Sequence, residues 1–177
     1  MSTHPLPTCK AIARTAATAA VATGAVAMST LATPTASADA LSGNLWNLYN
    51  SQHVSAGCPG YTMSQVLGDT AGDIAHTLAN PPGGIAGNGR TPTDGMLANR
   101  GYYVTSWGEA DYVNNSGNAT PQDAINFWLA NPTKEIFPNC NNHDLGTAVW
   151  IQNGKWVAVA LTGTGGGTPP APPEQPH

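Results

Sequence analysis

The chain has 177 residues, of which only 9% are charged, with six basic against ten acidic side chains. A chain so poor in lysine and arginine carries no electrostatic footprint for nucleic acid or for an anionic membrane surface, which excludes both as partners. Its length allows one domain with a real core rather than two.

Residues 1–38 read as a secretory signal. Lys10 and Arg14 precede an apolar run of Ala, Val, Thr and Met, and Ala36-Ser37-Ala38 forms an A-x-A cleavage site before Asp39. The run is broken by Thr and Gly, contains Pro34, and falls short of the ~20 strongly apolar residues that a membrane span requires. The expectation is an exported chain beginning at Asp39, with no membrane span and four basic residues (Arg90, Arg100, Lys134, Lys155) against ten acidic ones. Cys9 leaves with the signal, so Cys58 and Cys140 remain. A pair of cysteines in an oxidising compartment reads as a disulfide. Closing so long a loop stabilises by about 4–5 kcal/mol on the chain-entropy model.

Leu41, Leu45 and Leu48 share a face and predict a helix over Leu41 to Val54, ended by Gly57-Cys58-Pro59-Gly60. Thr62-Met-Ser-Gln65 offers a capping box, and Leu67, Ala71, Ile74 and Leu78 form one stripe of the helix behind it. Asp69, Asp73 and His76 fall on the opposite face, close enough to share a cation, although an amphipathic helix needs a polar face in any case. Gly83, Gly84, Gly87 and Gly89 follow Pro81-Pro82 and read as a loop, not a phosphate cradle, because no Lys-Ser/Thr follows them.

Thr91-Pro92-Thr93-Asp94 and Thr120-Pro121-Gln122-Asp123 each place Thr at an N-cap, Pro at the first helical position and an acid at the third. The first predicts a short helix ending at Gly101, the second a helix ending before Pro132. Gly101 to Val113 is rich in Tyr, Val, Thr and Trp and predicts a strand. Asn-Asn-His-Asp after Cys140 reads as a turn. Leu145 to Ile151, Asn153-Gly154 and Lys155 to Thr162 read as a hairpin. Its second arm is apolar on both faces, which predicts a central strand. Beyond Gly163 the chain turns to Gly, Thr and Pro, and residues 164–177 are expected to be a disordered tail. Helices preceding strands, with a central strand among them, predict a layered α+β sandwich over residues 39–163.

Taken in order, these segments resemble the CAP superfamily. This is the domain of cysteine-rich secretory proteins, antigen five and pathogenesis-related one proteins, also called the SCP domain, here as a divergent bacterial member. Leu48-Tyr49-Asn50 resembles the family's opening helix, and Arg100-Gly101-Tyr102 with Trp107-Gly108-Glu109-Ala110 its Gly-Tyr and Gly-Glu-Asn element. Ala124 to Trp128 with Asn131-Pro132 is similar to its Trp-Met-x-Ser-Pro-Gly-His helix. Asp144-Leu145-Gly146 and Lys155-Trp156-Val157 are similar to its closing strands. The resemblance implies a three-layer α-β-α sandwich with a central cleft that in the family holds two His and two Glu for a divalent metal. Of these only Glu109 carries over; the histidine position falls near Thr133-Lys134, and a lysine does not ligate zinc at neutral pH. No metal and no cofactor is therefore expected. Neither is the Cys58–Cys140 pair a standard bridge of the family.

The site residues to which this reading points are Glu109, Tyr102 and Trp107, with Tyr103 and Trp128 adding aromatic surface suited to binding. The expected function is that of a secreted, non-enzymatic CAP-like domain binding an extracellular protein or a small apolar ligand. A metal-assisted hydrolase using Glu109 with His143 or His76 is the second reading. A structural cell-surface component with the Pro-rich tail as spacer is the third.

Overall fold

A strand with two apolar faces organises the molecule. In the computed structural model, which describes residues 37–81 and 93–165, β4 (Lys155–Gly165) lies between β3 (Asp144–Gln152) and β2 (Val104–Asn114), antiparallel to both. The two-residue β1 (Thr62–Met63) adds to β3 in parallel, so the order is β1-β3-β4-β2. Trp156, Ala158 and Ala160 pack against α1 (Ala38–Ser55) and α4 (Pro121–Leu129) through Leu45, Tyr49 and Trp128. Val157, Val159 and Leu161 pack against α2 (Gln65–Ala79) and α3 (Thr93–Asn99) through Leu67, Ile74 and Leu97. The result is the expected α+β, three-layer α-β-α sandwich. Burial of Val157, Val159 and Leu161 contributes about 1.5–3 kcal/mol each, so the hydrophobic drive is concentrated where the layers meet.

Local chemistry explains most of the boundaries. Thr120 and Asp123 form a complete capping box with Pro121 behind it. Asn153 and Gly154 both have positive φ, 54° and 72°, as a two-residue type I′ hairpin turn requires. The Cys58–Cys140 disulfide joins the segment after α1 to the one before β3. Among the described residues no helix is long and apolar enough to cross a membrane.

Four boundaries differ from the sequence reading. The N-cap of α2 is Ser64, whose hydroxyl accepts from Leu67 N–H; Thr62 and Met63 are drawn into the sheet by Thr62 N–H to His143 C=O (2.8 Å) and Ser64 N–H to Leu145 C=O (3.0 Å). Tertiary pairing here overrides a capping signal. Helix α1 starts at Ala38 with Ser37 as its cap, so the predicted cleavage site lies in its first turn. A 3-10 helix, Pro132–Ile136, follows α4, because Pro132 ends the α-helical ladder without preventing a tighter turn. Finally, Thr164 and Gly165 belong to β4 and not to the tail; Gly165 continues the ladder opposite Val104. The signal-like segment before Ser37, the glycine loop at Gly83–Gly89, the Thr91-Pro92 cap and residues 166–177 lie outside the described residues.

Candidate functional site

Of the residues singled out from sequence, Trp107 and Glu109 stand on the edge strand β2, while Tyr102 reaches across β4 to β3. Trp107 and Glu109 occupy the same face of β2 by strand periodicity, opposite Gly163 and Leu161 of β4. Glu109 accepts a hydrogen bond from the Thr93 hydroxyl at the start of α3. Tyr102 lies over Gly163 and Gly165, where an added Cβ would come within 3.3 and 3.2 Å of its ring, and donates its hydroxyl to Asp144 Oδ2 at 2.7 Å. Burial, then the Asp144 carboxylate, pushes the Tyr102 hydroxyl well above the usual phenol range. Trp107 remains 40% exposed. Trp128, by contrast, is fully buried with its Nε1–H donated to Asp111 C=O at 2.9 Å, and serves the core.

A second constellation lies at the opposite edge, along β3. Here α1 and α2, on opposite faces of the sheet, overhang the edge strand and enclose a groove of about 1140 Å³. Its floor is Gly146, Thr147 and Ala148. Its aromatic walls are two held tryptophans: Trp46 donates Nε1–H to Leu145 C=O at 3.3 Å, and Trp150 donates to Gln152 Oε1 at 2.9 Å. The polar face of α2 recognised in the sequence lines the rim, since Asp69, Asp73 and His76 all open onto it. Asp73 is ion-paired with Arg100, and His76 meets the Trp150 ring edge to face at 4.9 Å. Asp73 and His76 therefore engage different partners, and the three side chains do not form a cluster that could hold a shared cation.

The family's metal does not fit the residues present. Among the described residues no three His, Cys, Asp or Glu side chains converge to hold an ion. Buried His53 is committed elsewhere, with Nδ1 at 2.6 Å from Phe137 C=O and its ring stacked on Tyr61 at 3.8 Å. His76 stands at the β3 edge, two strands from Glu109. The groove itself escaped the sequence reading, although its signal was present: Gly43, Gly68 and Gly72 interrupt two helices at positions where alanine is better.

No family model and no curated protein matches the chain by sequence. Its structure is similar to an outer surface protein of Borrelia burgdorferi, with a TM-score of 0.56 and 14% identity, over 70% of this chain and 92% of that one. It is also similar to a cysteine-rich secretory protein of Staphylococcus aureus (TM-score 0.55, 10% identity, 74% of this chain). An extracellular protein of Bacillus anthracis containing an SCP domain matches comparably (TM-score 0.55, 14% identity, 70% of this chain). The chain spans 40% of the length of each of the last two. The fold is thus the CAP, or SCP, sandwich that the order of motifs resembles.

Proposed function

We propose that this chain is an exported SCP-type domain that acts by binding an extracellular protein partner, without catalysis, and that it does so at the groove along β3. The observation that carries this reading is the groove itself: an open cleft of about 1140 Å³ with rigid tryptophan walls, a polar backbone floor and a carboxylate rim. A small apolar ligand suits it less well, because it would cover the backbone of β3 and the aspartates without offering them hydrogen bonds. Export is supported by the signal-like segment, by the disulfide, and by structural neighbours described as outer-surface, secretory or extracellular proteins.

Two measurements test the proposal. Mass spectrometry of the medium of a secreting bacterial host is expected to find a chain beginning at Asp39 with its two cysteines joined; retention of the uncleaved chain inside the cell would remove the export reading. Amide hydrogen exchange with and without an extracellular matrix fraction is expected to slow in α1, α2 and β3. Slowing confined to β2 around Trp107 would move the site to the opposite edge of the sheet.

A further inference from the structure

The turn between β3 and β4 places a side-chain amide beside an unshielded nucleophile. Asn153 and Gly154 are both exposed, with positive φ of 54° and 72°. Glycine has no Cβ to screen its amide nitrogen, and Gly154 lies outside the strand ladder, which closes at the Gln152–Lys155 pair. Its nitrogen gives a proton to hydroxide and bonds to Asn153 Cγ. The Cγ–Nδ2 bond breaks, and ammonia leaves with a proton taken back from water, which regenerates the hydroxide. The five-membered imide then takes up water and opens to aspartate or to β-linked isoaspartate. Water is the only co-reactant. Aspartate tolerates positive φ as asparagine does, so the aspartate product keeps the turn.

A chain of side-chain amides carries the change inward. Asn153 Nδ2–H donates to Asn80 Oδ1 at 3.1 Å, and Asn80 Nδ2–H donates to Gln152 Oε1 at 2.9 Å. Gln152 Oε1 also accepts Trp150 Nε1–H, at 2.9 Å. Asn80 is the C-cap of α2 and donates to His76 C=O as well. A carboxylate at position 153 has no N–H to give and sets negative charge against the Asn80 carbonyl oxygen. Turning the Asn80 amide over restores a donor there but brings its oxygen against Gln152 Oε1. Gln152 turns over in response, and its Nε2 then faces Trp150 Nε1–H, donor against donor. Trp150, a wall of the groove, loses its acceptor. The competing partner is Lys155, whose Nζ is held by Ala79 C=O at 3.1 Å, whereas Asn80 already touches the 153 side chain. We infer that Asn153 is a site of spontaneous deamidation, and that the charge it acquires releases Trp150 from its anchor, whatever the groove binds.

The test uses the full chain with its disulfide intact, aged in mildly alkaline buffer and mapped by peptide mass spectrometry. Asn153 is expected to convert faster than the other described asparagines, with isoaspartate among the products. Asn88-Gly89, the other such pair in the sequence, falls in a separate peptide. Conversion no faster than at those asparagines, or only after urea and reduction, overturns the site. Asn153→Asp isolates the relay. In the isotope-labelled variant the Trp150 indole N–H is expected to exchange with solvent roughly two- to tenfold faster, the weight of a single hydrogen bond. The Trp46 indole, held at the other wall by Leu145 C=O, is expected to be unchanged. An unchanged Trp150, as when the carboxylate turns to Lys155, or equal acceleration at both indoles overturns the relay. Should the variant not fold, the aged chain decides: a second Trp150 indole signal is expected to grow with the converted fraction, and a single signal throughout overturns the inference.

Discussion

Among the described glycines, Gly146 is the most closely enclosed. A Cβ at this position would fall on the backbone of Leu67 and Gly68, because β3 passes under the first turn of α2 with nothing between them. Gly146→Ala is expected to cost about 1–3 kcal/mol or more, since backbone and not a flexible side chain would have to yield; chemical denaturation measures it, and an unchanged midpoint would mean that α2 sits farther from the strand. Three tyrosines set a limit at alkaline pH. Burial raises the hydroxyls of Tyr49, Tyr61 and Tyr102 well above their ordinary value, with Tyr61 adding to the effect on Tyr49 and Asp144 to that on Tyr102. The folded chain therefore keeps protons that the unfolded chain releases above about pH 10. Their contribution is complete below that pH and is lost as pH rises beyond it. Urea midpoints should fall above about pH 10, with phenolate absorbance from these residues appearing only as the chain unfolds.

At the scale of elements, the helices flanking the groove are less stable than their packing allows. Leu67, Ala71, Ile74 and Ala75 are fully buried, while a Cβ added at Gly68 or Gly72 would point into open space. Gly68→Ala and Gly72→Ala are each expected to stabilise the fold by about 0.5–1 kcal/mol, the reverse of Gly146→Ala. Thermal unfolding of the pair separates glycine that binding needs from glycine that packing needs. The hairpin and α4 follow local rules closely, as Asn153-Gly154 and the Thr120–Asp123 box illustrate. β1 follows none, and two residues become a strand only because β3 offers them an edge.

At the scale of the whole molecule, the Cys58–Cys140 bridge closes the largest constraint in the fold, joining positions 82 residues apart. Reduction is expected to lower stability by about 4–5 kcal/mol, read as a drop in the denaturation midpoint with a thiol reductant present. A domain of this size has only about 5–15 kcal/mol in total, so the reduced chain should be close to unfolding at growth temperature. The bridge ties the segment after α1 to the segment before β3.

Much of this was legible in the chain alone: the Cys58–Cys140 pairing, the caps of α4, the hairpin turn, and a β4 whose alternating Trp156-Ala158-Ala160 and Val157-Val159-Leu161 sets demanded a layer on each side. These are local or periodic properties, carried by neighbours in sequence. The aspartates of α2 were legible too, but only as a polar face, and Gly43, Gly68 and Gly72 only as weak points of two helices. That they meet along one sheet edge depends on α1 and α2 settling on opposite faces of β3, which no local spacing encodes. The tertiary structure alone decided that these glycines line one space and that, beyond Leu145, β3 meets Ser42 of α1 rather than another described strand, because both follow from where distant segments pack.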